Sequence, residues 1–342
     1  MFRAPALAAL VFSGVFLSCS LIPDPRPAEK VVIANWNVEN LFDEVDDGGE
    51  YPEFDPGRGW TRAQFWARCT SLARVIRTLA AGGPDVLVLE EVEGAHALEV
   101  FRTRFLLDLG YRHWFLAPDS EPGVKTSILS RFPFTRTGLH YPSDGEETLR
   151  PLVEVEIDLG GRSLVVLGNH WKSRIPTPGA TEGLRRRSAL VLARRIAALE
   201  ARADRPFVVA LGDFNTSLEL SRNRSDRALI PGGAFEGSEP GLVVFSSRTA
   251  ASRSRWPGAV WDPWETVTDP PGTYLYQGDW NKLDHAFLAV TSLCLSDWAF
   301  DGFRVVAFAP TPQAYGPRTP GGVSDHFPVV LTLVRRTARG LP

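Results

Sequence analysis

Pro206-Phe207-Val208-Val209-Ala210-Leu211-Gly212-Asp213-Phe214-Asn215 joins a short apolar run to two polar side chains across a single glycine. The run is β-branched at its centre and bounded by Pro and Gly, so 206–211 reads as a buried strand. In layered α/β folds the ends of buried strands form the rim of a cleft. The same arrangement recurs along the chain: Asn37 follows VVIANW, Glu91 ends DVLVLEE, His170 follows LVVLGN, Asp284 follows NKL, and Asp325-His326 precede FPVVLTL. Any one of these has a bland explanation, because an Asn or Asp at a strand end caps a turn and a lone His is commonly a hydrogen-bonded structural residue. Their repetition at strand ends argues for one convergent site.

Working outward from 206–211, the stretch 30–38 (KVVIANWNV) predicts a first strand, and 43–51 is an acidic, Gly-containing loop. Thr61 precedes apolar residues at Phe65, Leu72, Val75, Ile76 and Leu79, which predicts a helix ended by Gly82, Gly83 and Pro84. Further strands are expected at 85–89, 111–116 and 126–130, with a second helix over 95–109. Segments 152–159 and 163–168 read as a hairpin across Gly160 and Gly161. A long helix is expected over 184–201, and strands over 273–277, 283–290, 304–308 and 327–334. Residues 219–272, rich in Trp, Pro, Gly and Ser, give no clear periodicity and read as a long insertion or surface loop. Strands that alternate with helices yet also form hairpins favour mixed sheets over a purely parallel one.

The 342 residues are 44% hydrophobic and 23% charged, a globular balance undivided by a linker or repeat, so one catalytic domain is expected over 30–337. A net charge of −3 provides no global basic field, and nucleic acid would have to meet a local patch. No Gly-rich phosphate loop precedes a helix, so no nucleotide cofactor is expected. Residues 1–18 carry Arg3 and then an uncharged run from Ala4 to Leu17, shorter than a membrane span, and read as a signal peptide. Phe16-Leu17-Ser18-Cys19 resembles a bacterial lipobox, in which lipid is attached to the Cys19 sulfur and holds the exported protein on a membrane of the cell envelope. Ordinary cleavage and free secretion is the alternative. Pro23, Pro25 and Pro27 make 19–29 an extended tether. Cys69 and Cys294 are either buried thiols or, in an oxidising compartment, a bridge; neither has zinc-site spacing.

Six motifs occur in an order that resembles the endonuclease/exonuclease/phosphatase superfamily: Asn35 to Asp43 (NWNVENLFD), Leu89-Glu90-Glu91-Val92, Asn169-His170-Trp171-Lys172-Ser173, Gly212-Asp213-Phe214-Asn215, Leu283-Asp284-His285 and Ser324-Asp325-His326. The resemblance spans roughly residues 30 to 335, and NVENLFD, NHWKS and the Tyr/Trp-rich 272–280 look most like the bacterial secreted-nuclease-like branch. It implies a four-layer α/β sandwich of two mixed sheets flanked by helices, with the site at one end of the sheets. It also implies a hard divalent cation, Mg²⁺ with Mn²⁺ or Ca²⁺ as alternatives, held by Glu91 with Asn37 and Asp325. By the same matching, Asp213 positions or deprotonates the attacking water and Asn215 holds the phosphate or that water. His170 and His326 would donate to the phosphate oxygens, with Asp284 fixing the His326 tautomer. Glu90 stands where the family often has Gln, and strand alternation aims it to the face opposite Glu91. The partner of His170 stays open, since Tyr111, Glu121 and Lys125 give no clear match.

Lys172 and Arg174 are candidate phosphate contacts, whereas Arg185, Arg186 and Arg187 read either as part of that patch or as a solvated helix face. Trp256, Trp261, Trp264 and Trp280 are either base-stacking platforms or packing anchors, and are left outside the site. The implied activity is metal-dependent hydrolysis of phosphodiester bonds, with DNA or RNA as substrate and the protein acting as a monomer. A sphingomyelinase-like lipid phosphodiesterase and a sugar-phosphate phosphatase are the enzymatic rivals. A non-catalytic surface lipoprotein that binds a partner is the alternative of another class.

Overall fold

The computed structural model describes residues 29–118, 123–142, 149–221, 227–233, 241–295, 297–317 and 321–336. The signal peptide, Cys19, Glu121 and all of the tether except Glu29 lie outside them. The first half of the described chain contributes β1 (Lys30–Leu41), α1 (Arg62–Thr78), β2 (Val86–Val92), α2 (Ala95–Val100), β3 (His113–Leu116), β4 (Lys125–Ser130), β5 (Phe134–His140), β6 (Leu152–Asp158) and β7 (Ser163–His170). The second half contributes α3 (Pro178–Glu200), β8 (Phe207–Asp213), α4 (Leu218–Ser221), β9 (Leu229–Pro231), β10 (Leu242–Phe245), α5 (Arg248–Arg253), β11 (Val260–Trp261), β12 (Tyr274–Tyr276), β13 (Asp279–Asn281), β14 (Asp284–Ala289), β15 (Trp298–Val305) and β16 (Val329–Arg335).

These strands form a six-stranded sheet in the order β15-β16-β1-β2-β4-β3 and an eight-stranded sheet in the order β5-β6-β7-β8-β14-β11-β10-β9, with β12 and β13 as a separate hairpin. Both large sheets are mixed: β1 runs parallel to β2 and β7 to β8, while β2/β4, β6/β7 and β8/β14 are antiparallel. Period-two alternation assigns each strand residue to a layer. Val31, Ile33, Val86 and Val88 from one sheet meet Val166, Val209, Leu211, Ala286 and Leu288 from the other in a common inner core. The intervening residues face outward. Trp36, Leu87 and Leu89 pack on Phe65, Leu72 and Ile76 of α1, while Leu167, Val208 and Ala210 pack on Leu192 and Ile196 of α3. The result is the four-layer α/β sandwich that the family resemblance implies, DNase I-like in its two packed mixed sheets and flanking helices.

Both long helices are started by side chains. At α1, Thr61 accepts the Gln64 N–H while the Gln64 side chain accepts the Thr61 N–H, a reciprocal cap that satisfies two otherwise unpaired donors. Helix α3 begins six residues earlier than the period in 184–201 indicates, because Thr177 caps it and Pro178 occupies its first position. The helix expected over 95–109 is shorter: α2 passes into a π-turn at Phe101–Phe105 and a 3₁₀ turn at Leu107–Leu109, closed by left-handed Gly110. The hairpin at 152–168 forms with Asp158 opposite Ser163, so Gly160 and Gly161 make the turn. The described parts of 219–272 supply β9, β10 and β11, which widen the eight-stranded sheet; they are more than a surface loop. Their shortness, two to four residues each, explains why periodicity does not reveal them.

Cys69 is on the buried face of α1 while Cys294 is exposed, and both are free thiols, so the bridge does not form and only Cys69 behaves as a core residue. Trp261 and Trp264 are buried: the former packs edge-on against Phe300, and the latter donates its indole N–H to the Asp284 carbonyl at 3.1 Å. Trp280 lies against Phe327. These three rings are packing anchors, and Trp256 remains 44% exposed.

Candidate active site at the rim of the two sheets

The inner-face pattern that builds the core also aims the site. Continuing the alternation from Val209 and Leu211 puts Asp213 on the inner face of β8, and the same count puts His170 and Asp284 there on β7 and β14. The register confirms that they lie side by side, His170 opposite Asp213 and Asp213 opposite Asp284. From the six-stranded sheet, Asn37 arrives by the same alternation along β1. Glu91 arrives differently. Alternation points Glu90 inward, and an irregularity in β2 at which Glu91 adopts φ 65° turns the Glu91 carboxylate to the rim as well.

Asn37 links the two sheets, its Nδ2 donating to Glu91 Oε1 at 3.0 Å and to Asp213 Oδ2 at 3.2 Å. Asp213 also accepts the Asn215 N–H at 2.8 Å and the Asn215 Nδ2 at 3.0 Å. The Asn215 amide reaches the Trp171 carbonyl at 3.2 Å too, so its donors orient Asp213 and pin the loop after β7. His326 Nδ1 lies 2.7 Å from Asp284 Oδ2, leaving Nε2 facing Asp213 Oδ2 at 3.9 Å and Asp325 Oδ1 at 4.0 Å. Trp36 donates to the His326 carbonyl, and Ser324 Oγ both donates to the Asn37 carbonyl and accepts the His326 N–H. These bonds tie the segment carrying His326 to β1. Opposite it, His170 Nε2 is 3.8 Å from both Glu91 Oε1 and Asp213 Oδ2.

The two imidazoles differ electrically. Burial alone would depress His326, but Asp284, Asp213 and Asp325 outweigh it and hold its pKa well above the ordinary histidine value, so it is a cation at neutral pH. His170 is pushed well below by burial, then by the positive Arg150 and His326, so it is neutral. Burial raises Asp213 to about 7 against the pull of His326, with Asp284 and Glu91 adding to the rise, which leaves a carboxylate poised to exchange a proton near neutrality. Glu91 is raised by burial and by Asp325, against the hydrogen bond from Asn37.

Glu90 is fully buried one step deeper, neither carboxyl oxygen having a hydrogen-bond partner. It does not point away from the site as alternation from Glu91 leads one to expect: Glu90 keeps to the inner face of β2, in the inter-sheet core directly behind the site, and it is Glu91 that the irregularity turns. Burial and the charges of Asp284 and Asp213 drive its pKa well above the carboxylate range, so it is neutral and equivalent there to a Gln.

The oxygen-rich rim suits a hard cation. Burial raises the carboxyl groups of both Glu91 and Asp213 while His326 pulls each of them down, and Asp325 stands close enough to raise Glu91 further. Asn37 is placed for the same role, although its Oδ1 accepts the Glu39 N–H at 2.9 Å and its NH₂ faces the carboxylates. Asp213, Asp284 and His326 also bring one ligand atom each within 4.8 Å of one another. Protonated His326, bonded to Asp284, has no lone pair to offer, so Glu91 is the better centre for the ion.

Beside His170 a pocket of about 210 Å³ is lined by Lys172, Lys125, Arg150, Tyr51 and Tyr141. Arg150 is the residue that motif reading passes over. Antiparallel pairing of β6 and β7 places Val153 opposite Gly168, which carries Arg150 to the His170 end of the hairpin. The signal was present in the Gly160-Gly161 turn and the strand lengths. The carboxylates near His170, Glu91 and Asp213, face its Nε2; its Nδ1 has no hydrogen-bond partner among the described residues. Arg174 lies farther along, Nη1 3.4 Å from Asn281 Oδ1. Arg185 is neither solvated nor phosphate-facing: it is buried, paired with Glu182 at 2.7 Å, and donates to the Lys172, Ser173 and Pro178 carbonyls. It clamps the loop that carries Lys172. Arg186 and Arg187 are half-buried.

A two-sheet α/β sandwich with a carboxylate, amide and imidazole cluster on one rim defines a class. The model of the endonuclease/exonuclease/phosphatase family matches residues 34–326, and the chain belongs to that family. Among solved structures, D. rerio TDP2 complexed with single-strand DNA product is similar at 18% identity and TM-score 0.53, over 90% of this chain and 99% of that one. An endonuclease/exonuclease/phosphatase family protein from Bacteroides thetaiotaomicron is similar at 15% identity and TM-score 0.55, over 90% and 98%. The human Nocturnin catalytic domain with bound sulfate anion is similar at 15% identity and TM-score 0.53, over 90% and 94%. No curated protein matches the sequence.

Proposed function

We propose that the protein is a divalent-metal-dependent phosphodiesterase that cleaves DNA or RNA. The observation that carries this reading is the pairing of a carboxylate of pKa near 7, Asp213, with an imidazolium fixed by Asp284 2.7 Å away, both on one rim. A hard divalent cation held by Glu91, Asp325 and Asn37 would supply charge to a phosphoryl oxygen. Asp213, oriented by Asn215 and Asn37, takes the proton of the attacking water. His326 Nε2 donates to a phosphate oxygen as charge develops there, and Asp284 keeps the ring in that orientation. Neutral His170 donates from the opposite side. Arg150, with Lys172 and Arg174, provides the local positive patch that the overall charge of −3 does not. Nucleic acid as substrate is supported by the TDP2 neighbour, whose structure holds a single-strand DNA product.

The same reading makes the protein an exported monomer, held on a membrane of the cell envelope through lipid on Cys19. No helix among the described residues is long and apolar enough to cross a membrane. Replacing Cys19 with Ser should move the protein from the membrane fraction to the soluble one; unchanged fractionation would exclude the lipid anchor. The substrate test offers the purified protein plasmid DNA, RNA, sphingomyelin and inositol phosphates with Mg²⁺ or Mn²⁺. Nicking or shortening of nucleic acid that is lost in Asp213→Asn is expected. Hydrolysis of sphingomyelin alone, or of the inositol phosphates alone, would overturn the nuclease reading, and no hydrolysis at all would leave a binding module.

A further inference from the structure

Toward the end of β1, Glu39 and Asn40 both take a left-handed backbone, with φ 52° and 64°. Pairing of β1 with β2 is interrupted at the same place, passing from Asn37 directly to Leu41. Two successive non-glycine residues keep that conformation only where their surroundings impose it. The surroundings are hydrogen bonds at both ends of two peptides. A planar trans peptide points its N–H and its C=O in opposite directions. In the peptide joining Val38 to Glu39, the Glu39 N–H donates to Asn37 Oδ1 at 2.9 Å; in the next one, the Asn40 N–H donates to Glu91 Oε2 at 3.1 Å. The carbonyls of the same two peptides, on Val38 and Glu39, are both taken by Nη2 of Arg68 on α1, the Glu39 contact at 2.9 Å.

Arg68 reaches the other side of the rim as well. Its Nη1 donates to the Val323 carbonyl, just before the segment that carries Asp325 and His326, and its guanidinium lies 4.1 Å over the Tyr315 ring. Glu39 closes the link, Oε2 accepting the Tyr315 N–H at 2.6 Å and the Asp325 N–H at 3.0 Å. Arg68 is only 1% exposed. A cation placed inside the apolar packing of α1 on β1 costs desolvation that a hydrophobic side chain of similar volume would avoid, so stability alone does not account for it.

We infer that Arg68 is a positioning residue for the cation-binding end of the rim, acting through the two peptides that orient Asn37 and Glu91 and through the chain that leads to Asp325. The inference rests on the reading of Glu91, Asn37 and Asp325 as the cation's ligands. Arg68 touches none of their side chains. Its five donors in a planar fork let one side chain hold carbonyls on two separate segments, which the single ammonium of a lysine does not reproduce. By accepting charge from the carbonyl ends, it also strengthens the N–H bonds at the opposite ends of the same peptides. Loss of Arg68 therefore frees the left-handed turn and lets the Glu91 carboxylate and the Asn37 amide leave their common geometry.

The test measures Mn²⁺ binding to the full chain from the paramagnetic resonance of the free ion, with Glu91→Gln defining the part of the binding that belongs to the rim. Arg68→Lys and Arg68→Met should both weaken that part on the order of tenfold or more, as loss of groups that orient ligands does. Ile76→Val, on the same buried face of α1, lowers stability without touching the turn and should leave the rim affinity unchanged. An affinity within about threefold of wild type in Arg68→Lys, whose circular dichroism shows it folded, would overturn the positioning role. So would an equal loss of affinity in Ile76→Val, which would make binding follow stability. Mn²⁺ binding by wild type that Glu91→Gln does not diminish would instead sink the ligand reading itself, and the inference with it.

Discussion

At the scale of single residues, the site works through contrasts between neighbours of similar chemistry. Asp213 and Glu90 are both buried acids, but Asp213 accepts bonds from Asn215 and Asn37 while Glu90 accepts none. The first can carry a proton to and fro near neutrality, and the second stays protonated as filler. Asp213→Asn is therefore expected to lower turnover by about 10²–10⁴-fold with the fold intact, measured as initial cleavage rate beside an unchanged circular dichroism spectrum. A rate within a few-fold of wild type would remove Asp213 from the chemistry. Most of these positions were legible in the sequence because each sits one or two residues past an apolar run. The position of Glu91 was legible in the same way, but its approach to the rim was not, since it depends on a left-handed backbone that alternation does not foresee. Arg150 was hidden because no apolar run points to it; only the pairing of β6 with β7 does.

At the scale of elements, two strands illustrate how the scaffold holds the site. At the end of β8, Gly212 has φ 155°, and a Cβ there would lie 2.0 Å from the Asn169 carbonyl oxygen on β7. Gly212→Ala should cost about 3 kcal/mol or more, read as a lower urea midpoint at unchanged slope, because the two strands carrying Asp213 and His170 must part. A midpoint equal to wild type would show that β7 and β8 can separate there freely.

In the middle of β6, Glu154 is fixed to β5 by His140 at 2.7 Å and to α3 by Arg195 at 2.5 Å. Burial would raise its pKa, yet those two partners hold it at about 2, below the ordinary glutamate value. A depressed acid stabilises the fold above its unfolded pKa and loses that contribution as pH falls toward the folded one. Glu154→Gln should therefore cost about 2 kcal/mol at neutral pH, with the gap to wild type closing between about pH 4.5 and pH 2 in denaturation curves. A gap that stays constant over that window would mean the cost is packing and not charge. The strands at 219–272 were not legible because runs of two to four residues cannot show a period, and their Trp content looked equally like exposed stacking surface.

For the whole molecule, the governing fact is that two sheets present their inner faces to one rim. Strands that interleave with helices yet also form hairpins were enough to suggest mixed sheets, but packing them face to face required the family resemblance, since no single segment records which face meets which. Cation binding at the rim couples to global stability because only the folded chain brings Glu91 and its neighbours together. Saturation at about 100 times Kd should stabilise the protein by about 2.7 kcal/mol, a shift of roughly 5 °C in the thermal midpoint with Mg²⁺. Glu91→Gln should lose most of that shift; an equal shift in the variant would place the ion elsewhere.

The division of labour between the sheets has a further result. β1 and β2, with the segment entering β16, bring Asn37, Glu91 and His326, whereas β7, β8 and β14 bring His170, Asp213 and Asp284. Neither half holds a complete set of reactive groups, so the cluster comes into being only when both sheets have packed together.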